Sequence, residues 1–227
     1  MANIAKYIDQ TLLSQDATAE DIKAFCNEAK GYGFYAVCVQ PCRVAEAYSV
    51  LQGSDVKITA VVGFPCGSTY PEVKALEAKK CIEDGASEID MVINVGALRE
   101  GNLSLVREDI RMVADVAHNH NAILKVIIET GLLTDSEKQL ACKLAAEAGA
   151  DFVKTSTGMA KGSKPATIED VKLMHEAVSH LGLKVKASGG IRDYKTAMSM
   201  IEAGADRIGT SSGVEIDRRE EAEKAYS

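Results

Sequence analysis

The sequence predicts an α/β fold, a (β/α)8 barrel of the TIM type, and three observations predict it. First, a pattern of helix end, glycine and strand start recurs. It reads Glu83-Asp84-Gly85-Ala86-Ser87, Glu147-Ala148-Gly149-Ala150-Asp151 and Glu202-Ala203-Gly204-Ala205-Asp206, with a looser copy at Lys30-Gly31-Tyr32-Gly33. Second, successive copies stand 52, 64 and 55 residues apart. Each interval holds two strand–helix units of roughly 26–32 residues, the length of a βα repeat. Third, the strand segments are short, apolar and rich in β-branched residues, as when helices cover the outside of a parallel sheet. Dividing 227 residues by eight gives about 28 per unit, which leaves little room beyond a single barrel domain over 1–227. The competing architecture is an open doubly wound sheet, which the missing G-x-G-x-x-G after an early strand disfavours.

Taken in order, a short first strand ends near Asp9. Thr18 then caps a helix with Asp21 in its first turn and Ile22, Phe25, Cys26 and Ala29 on one face. Strands follow at 35–39, 57–62, 89–93 and 124–128. Thr134 and Glu137 form a capping box before Leu140, Ala141, Leu144, Ala145 and Ala148. A strand at 152–155 precedes a helix in which Thr167 and Asp170 lead into Val171, Met174, Val178 and Leu181. The strand at 185–187 comes next. Asp193 then opens a helix carrying Tyr194, Ala197, Met198 and Ile201, and the strand at 207–210 completes eight.

Composition excludes several classes. The chain is 46% hydrophobic and 26% charged, which argues against disorder, collagen and a small disulfide scaffold. A net charge of −7 disfavours nucleic acid or an anionic membrane as partner, since both call for a basic face. It leaves room for a small anionic substrate. The first residues lack the apolar core of a signal peptide, and no stretch approaches the ~20 apolar residues that span a bilayer. The expectation is a cytoplasmic protein. The six cysteines (26, 38, 42, 66, 81 and 142) contain no C-x-x-C and read as reduced thiols. His118 and His120 lack a carboxylate cluster that would make them metal ligands, and His175 reads as structural. No metal or cofactor is expected.

Ionisable residues inside apolar strands cost free energy unless they have partners or a purpose. Asp90, Lys125, Lys154 and Lys186 interrupt four such strands, and Asp9 stands at the end of the first. If their side chains point inward they share one interior. Two lysines in a poorly hydrated site each disfavour the other's charge, and desolvation acts in the same direction. A neutral amine is the nucleophile that forms a Schiff base with a carbonyl. Asp90 could balance the remaining charge and move protons. Lys184, at its strand's start, should face the opposite, solvated end. Gly189-Gly190 and Gly209-Thr210-Ser211-Ser212-Gly213 follow the last two strands, where such barrels often bind phosphate on backbone N–H groups. Arg192 could add charge there or form a surface ion pair.

Lys154-Thr155-Ser156-Thr157-Gly158 closely resembles the Schiff-base motif of the deoxyribose-phosphate aldolase family. Similar to that family, and in its order, are also Ile8-Asp9-Gln10-Thr11-Leu12-Leu13, Val62-Gly63-Phe64-Pro65 and Glu88-Ile89-Asp90-Met91-Val92. So are Lys125-Val126-Ile127-Ile128-Glu129-Thr130, Lys186-Ala187-Ser188-Gly189-Gly190-Ile191-Arg192 and Arg207-Ile208-Gly209-Thr210-Ser211-Ser212. The resemblance implies a class I aldolase that reversibly cleaves 2-deoxy-D-ribose 5-phosphate to acetaldehyde and D-glyceraldehyde 3-phosphate. It implies Lys154 as Schiff-base nucleophile, Lys186 as the group that perturbs its pKa and helps with proton transfer, and Asp90 as sharing the proton relay through the substrate hydroxyl or a water. Gly158, Gly189, Gly190, Gly209, Ser211 and Ser212 would form the phosphate site. Asp9, Cys38, Thr157 and Lys125 would line or support the pocket.

Some positions depart from the family pattern. Gln10 stands where the family commonly has His, Cys66 where it has Leu, and Met159 where residues vary. None is a proposed catalytic group, so they bear on pocket shape. The Tyr226-Ser227 end resembles a family tail whose Tyr can reach the site; a frayed terminus is the other reading. Competing functions are another phosphate-binding barrel lyase or isomerase, and a non-catalytic sugar-phosphate binding protein. The expected partners are a small sugar phosphate and aldehydes, and a homo-oligomer is compatible with the sequence.

Overall fold

The computed structural model describes residues 3–161 and 164–225. Its eight strands are β1 (Ile8–Leu12), β2 (Ala36–Val39), β3 (Lys57–Val62), β4 (Glu88–Val92), β5 (Ile123–Ile127), β6 (Phe152–Lys154), β7 (Lys184–Ser188) and β8 (Arg207–Thr210). They pair in chain order, all in parallel, and β8 closes onto β1 through Ile208–Ile8 and Gly209–Asp9. That closure removes the open-sheet alternative.

The helices are α1 (Ala19–Tyr32), α2 (Val44–Leu51), α3 (Pro71–Glu83), α4 (Val95–Arg99), α5 (Leu103–Asn119), α6 (Asp135–Glu147), α7 (Ile168–Val178), α8 (Tyr194–Glu202) and α9 (Gly213–Ala225). Thr18, Thr134 and Thr167 each make a reciprocal capping box, with Asp21, Glu137 and Asp170 respectively. Asp193 caps α8 by accepting from the Thr196 N–H. Each box satisfies two backbone donors that a helix start leaves unpaired. Ile22, Cys26 and Ala29 of α1 and Val171, Met174 and Val178 of α7 are buried against the strands. Leu181 is not part of that face. It lies beyond α7 in a short 3-10 turn and is exposed, because Gly182 ends the helical path.

The recurring glycines are required by space as well as by conformation. Gly85 and Gly204 have φ of 113° and 111°, and a Cβ there would lie 2.4 Å from the Tyr48 ring and 2.5 Å from the His175 ring.

One strand limit differs in a way that matters. Asp9 is the second residue of β1, not its last, because Thr11 and Leu12 continue the ladder against Cys38 and Val39. The polar pair Gln10-Thr11 disguises this. Gln10 instead faces outward, where its Oε1 accepts from the first N–H of α9, that of Gly213, at 2.9 Å.

The main apolar core lies between the sheet and the helices. The barrel lumen differs. Asp9, Thr59, Asp90, Lys125 and Lys186 are wholly buried inside it, with Glu88, Arg207 and Lys154 almost so. A small apolar group, Leu13, Cys38 and Val61 with Phe64, closes one side of the upper end.

Candidate active site

The site follows from the strand pleat, which sends residues two apart to the same face. Glu88 and Asp90 of β4 share one face, as do Arg207 and Gly209 of β8. Asp90 is register partner to Lys125 of β5, and Lys154 of β6 is partner to Lys186 of β7. These pairings bring residues far apart in sequence onto one carboxylate. Asp90 Oδ2 accepts from Lys154 Nζ at 2.7 Å and from Lys186 Nζ at 2.8 Å, while Asp90 Oδ1 accepts from Lys125 Nζ at 2.9 Å.

A second set of contacts lies alongside and below. Lys186 Nζ also stands 2.5 Å from Asp9 Oδ2, and Lys125 Nζ stands 2.5 Å from Glu88 Oε2. The Arg207 guanidinium binds Asp9 through Nε at 2.7 Å and Glu88 through both terminal nitrogens at 3.2 and 3.1 Å. Its face stacks on the Tyr35 ring, 3.6 Å from the centroid. Lys184 is exposed at the start of β7, at the opposite mouth of the barrel.

Burial would raise the Asp90 carboxyl, but Lys125, Lys154 and Lys186 overcome it and hold the pKa well below the usual range. The same contest lowers Asp9 to about 2, with Lys186 and Arg207 as the opposing charges. The two lysines part company. Burial pulls Lys186 down, but Asp9 and Asp90 together lift it above an ordinary lysine. Burial pulls Lys154 down as well, Asp90 alone opposes it strongly, and Lys186 adds to the depression, so its pKa falls. Burial raises Cys38, which stays a thiol.

Above this network lies a cavity of about 260 Å³ at the C-terminal mouth of the barrel. Lys154 is at its floor, and Thr157, Gly158, Gly189, Gly190, Gly209 and Ser211 are on its walls. Gly158, Gly189 and Gly190 have φ of 76°, 98° and 81°, which brings bare backbone to the wall. Thr157 is fixed by Glu129, whose carboxylate accepts from its N–H at 3.1 Å and its hydroxyl at 2.5 Å. Thr155 and Ser188 tie β6 to β7 through a reciprocal pair of hydrogen bonds at 2.8 and 2.9 Å.

Most of the predicted residues converge here, with a division of place. Asp90, Lys186, Asp9, Lys125 and Cys38 lie beneath the cavity floor and support it rather than line it. Ser212 is also off the wall, its N–H donated to Thr210 Oγ1 at 2.9 Å. Met159 and Arg192 do line the cavity, whereas Cys66 is exposed outside it. Tyr226 lies outside the described residues. Sequence reasoning missed Arg207 and Glu88 as members of the network. Both look like solvated strand starts, and only their spacing of two from Gly209 and Asp90 signals an inward direction. His118 and His120 do not form a pair: His118 meets Asp151 at 3.0 Å, and His120 meets the Val116 carbonyl at 2.8 Å.

Residues 3–218 match the model of the DeoC/LacD family aldolases. The chain belongs to this aldolase family. It is 57% identical over 224 residues to a deoxyribose-phosphate aldolase of Geobacillus sp. (strain WCH70), covering 99% of each chain. It is 58% identical over 216 residues to one from Thermococcus gammatolerans, covering 94% of this chain and 95% of the other. Among solved structures, the tetrameric deoxyribose phosphate aldolase of Aeropyrum pernix superposes with a TM-score of 0.89 at 36% identity, over 96% of this chain and 91% of that one. An aldolase named QR15 superposes at 0.93 with 41% identity, over 100% and 99%. The aldolase family thus accounts for the barrel as a whole.

Proposed function

We propose that the protein is a deoxyribose-phosphate aldolase that works through a Schiff base on Lys154. The observation that carries this is the contrast between two lysines on one carboxylate oxygen. Lys154 reaches the cavity and its pKa is depressed; Lys186 is sealed and remains cationic.

The neutral amine of Lys154 adds to the C1 aldehyde of open-chain 2-deoxy-D-ribose 5-phosphate, and loss of water leaves an iminium. Removal of the proton from the C3 hydroxyl lets the C2–C3 bond break. Its electron pair moves to C2 and into the iminium, giving an enamine, and glyceraldehyde 3-phosphate departs. Protonation at C2 and addition of water then return acetaldehyde and free Lys154. Asp90 relays protons through the substrate hydroxyl or a water, and cationic Lys186 keeps Lys154 deprotonated. The Gly189-Gly190 turn, Gly209 and Ser211 present backbone N–H groups to the phosphate, and Arg192 adds charge at the rim.

Borohydride reduction in the presence of acetaldehyde is the test. The expected result is one reduced adduct located on Lys154 by peptide mass spectrometry, with cleavage of deoxyribose 5-phosphate by the untreated protein. Folded protein that gives neither result overturns the proposal. Ligand-induced thermal stabilisation without turnover would instead favour a binding protein, and loss of activity in chelator, restored by zinc, a metal-dependent lyase. The six unpaired cysteines fit a reducing cytoplasm, and among the described residues no helix is long and apolar enough to cross a membrane. The tetrameric Aeropyrum relative supports assembly as a homo-oligomer, which light scattering would establish.

A further inference from the structure

The contacts in the lumen close into a ring. Asp9 meets Lys186, Lys186 meets Asp90, and Asp90 meets Lys125. Lys125 meets Glu88, Glu88 meets Arg207, and Arg207 returns to Asp9. Charge alternates at every step, with three carboxylates and three cations. Each member of the ring has two oppositely charged neighbours in it. Lys154 is outside the ring and touches it only at Asp90.

This arrangement assigns the protons. The ring is neutral with all six members ionised. A proton on Lys154 therefore adds an uncompensated positive charge to a dry interior, where charge is costly. Removing a proton from Lys186 would instead leave Asp9 and Asp90 short of a partner.

We infer that Glu88 and Arg207 are positioning residues that act on Lys154 through this ring, and that the charge balance they maintain sets the pH at which Lys154 becomes a nucleophile. The inference rests on the Schiff-base reading above. Neither residue lines the substrate cavity. Arg207 lies at the lower end of the lumen, where its Tyr35 contact borders a separate cavity at the N-terminal mouth.

Charged and titratable groups from five strands surround Lys154. Asp90 comes from β4, Lys186 from β7, Lys125 from β5, Asp9 from β1 and the Cys38 thiol from β2. Glu129 stands on the loop after β5 and is bound to Thr157. Lys6, His175, Lys184 and Asp206 are at the lower mouth, beyond Arg207. Of these, Asp90 touches Lys154 directly, and the other members of the ring are linked to it through Asp90.

The test is the pH dependence of borohydride-trapped acetaldehyde adduct on Lys154 in intact protein. Glu88→Gln removes a negative charge, so the ring opposes the Lys154 proton more strongly. Its acid limb should move down by about one pH unit. Arg207→Gln removes a positive charge, and its limb should move up by about as much. The double variant restores neutrality and should return the limb to the wild-type position. Arg207→Lys keeps the charge and should leave the limb in place. A merely structural role predicts lost adduct or lowered thermal stability in both single variants, with no opposed displacement.

Shifts of the same sign, or unmoved limbs in variants that still form the adduct, overturn the inference. If Arg207→Gln does not fold, Glu88→Gln decides: a limb that stays or rises overturns it. Wild-type protein that forms no adduct overturns the Schiff-base reading itself, and the inference with it.

Discussion

Lys154 and Lys186 are register partners on adjacent strands, and both amines donate to one oxygen of Asp90, yet burial and charge drive their proton affinities in opposite directions. The difference is a second carboxylate, Asp9, which Lys186 touches and Lys154 does not.

Replacing Lys186 should therefore damage both catalysis and stability. Lys186→Met leaves Asp9 and Asp90 short of a cation and relieves Lys154 of its positive neighbour. Turnover at neutral pH should fall by two orders of magnitude or more, on the order of a lost general acid–base group. The acid limb of the rate profile should shift upward. Lys154→Leu should abolish adduct and turnover while the fold, followed by circular dichroism, persists.

The glycine wall gives a separable prediction. A Cβ on Gly190 would meet Pro165 at 2.8 Å, and one on Gly209 would meet Lys186 Cε at 3.0 Å. Gly190→Ala also strains a backbone at φ 81°. It should raise KM for the phosphorylated substrate with a smaller effect on kcat. Gly209→Ala should lower kcat as well, because its methyl presses on the lysine. Steady-state kinetics with phosphorylated and unphosphorylated deoxyribose distinguish the two.

Acid should unfold the protein through the ring. Asp9 has a native pKa of about 2 against an ordinary 3.8. A carboxyl lowered by folding contributes stability that is fully present above the unfolded value and is lost as pH falls toward the folded one. Glu88 and Asp90 are lowered too, so they act in the same sense. The contribution of these carboxylates, measured by urea denaturation, should thus be complete above about pH 5 and decline between roughly pH 4 and 2.

Away from the site, Lys74 of α3 is buried with its Nζ 2.5 Å from Asp109 of α5 and 2.8 Å from the Val92 carbonyl. Burial pushes Lys74 down and Asp109 up, so the pair is held at a desolvation cost. Lys74→Met alone leaves an unpaired buried acid and should cost about 3–5 kcal/mol. In a chain of this size that lowers Tm by about 10 °C. The double change Lys74→Met with Asp109→Leu should recover most of the loss, as thermal unfolding would reveal.

Much of this molecule was legible in the chain. The recurring glycines 85, 149 and 204 marked helix ends, because each holds a positive φ, and at Gly85 and Gly204 a packed ring leaves no room for a Cβ. The capping boxes at Thr18, Thr134 and Thr167 marked helix starts, since their partners lie three residues away. Lys154, Lys186 and Asp90 were legible because a charge inside an apolar strand needs a reason. These are local signals, carried by spacing within one element.

What depended on tertiary structure was partnership across the lumen. Nothing in the chain links Arg207 to Asp9, which are 198 residues apart, or Glu88 to Lys125 on the next strand. Barrel closure and strand register create those contacts. They also decide that Asp9, Lys125 and Cys38 lie beneath the cavity and not on its wall. The sequence by itself determined the fold and marked Lys154, Lys186 and Asp90 as charges out of place, because periodicity and misplaced charge are written along the chain. Only the tertiary structure decided which lysine gives up its proton, because that follows from how many carboxylates each amine meets in the closed barrel.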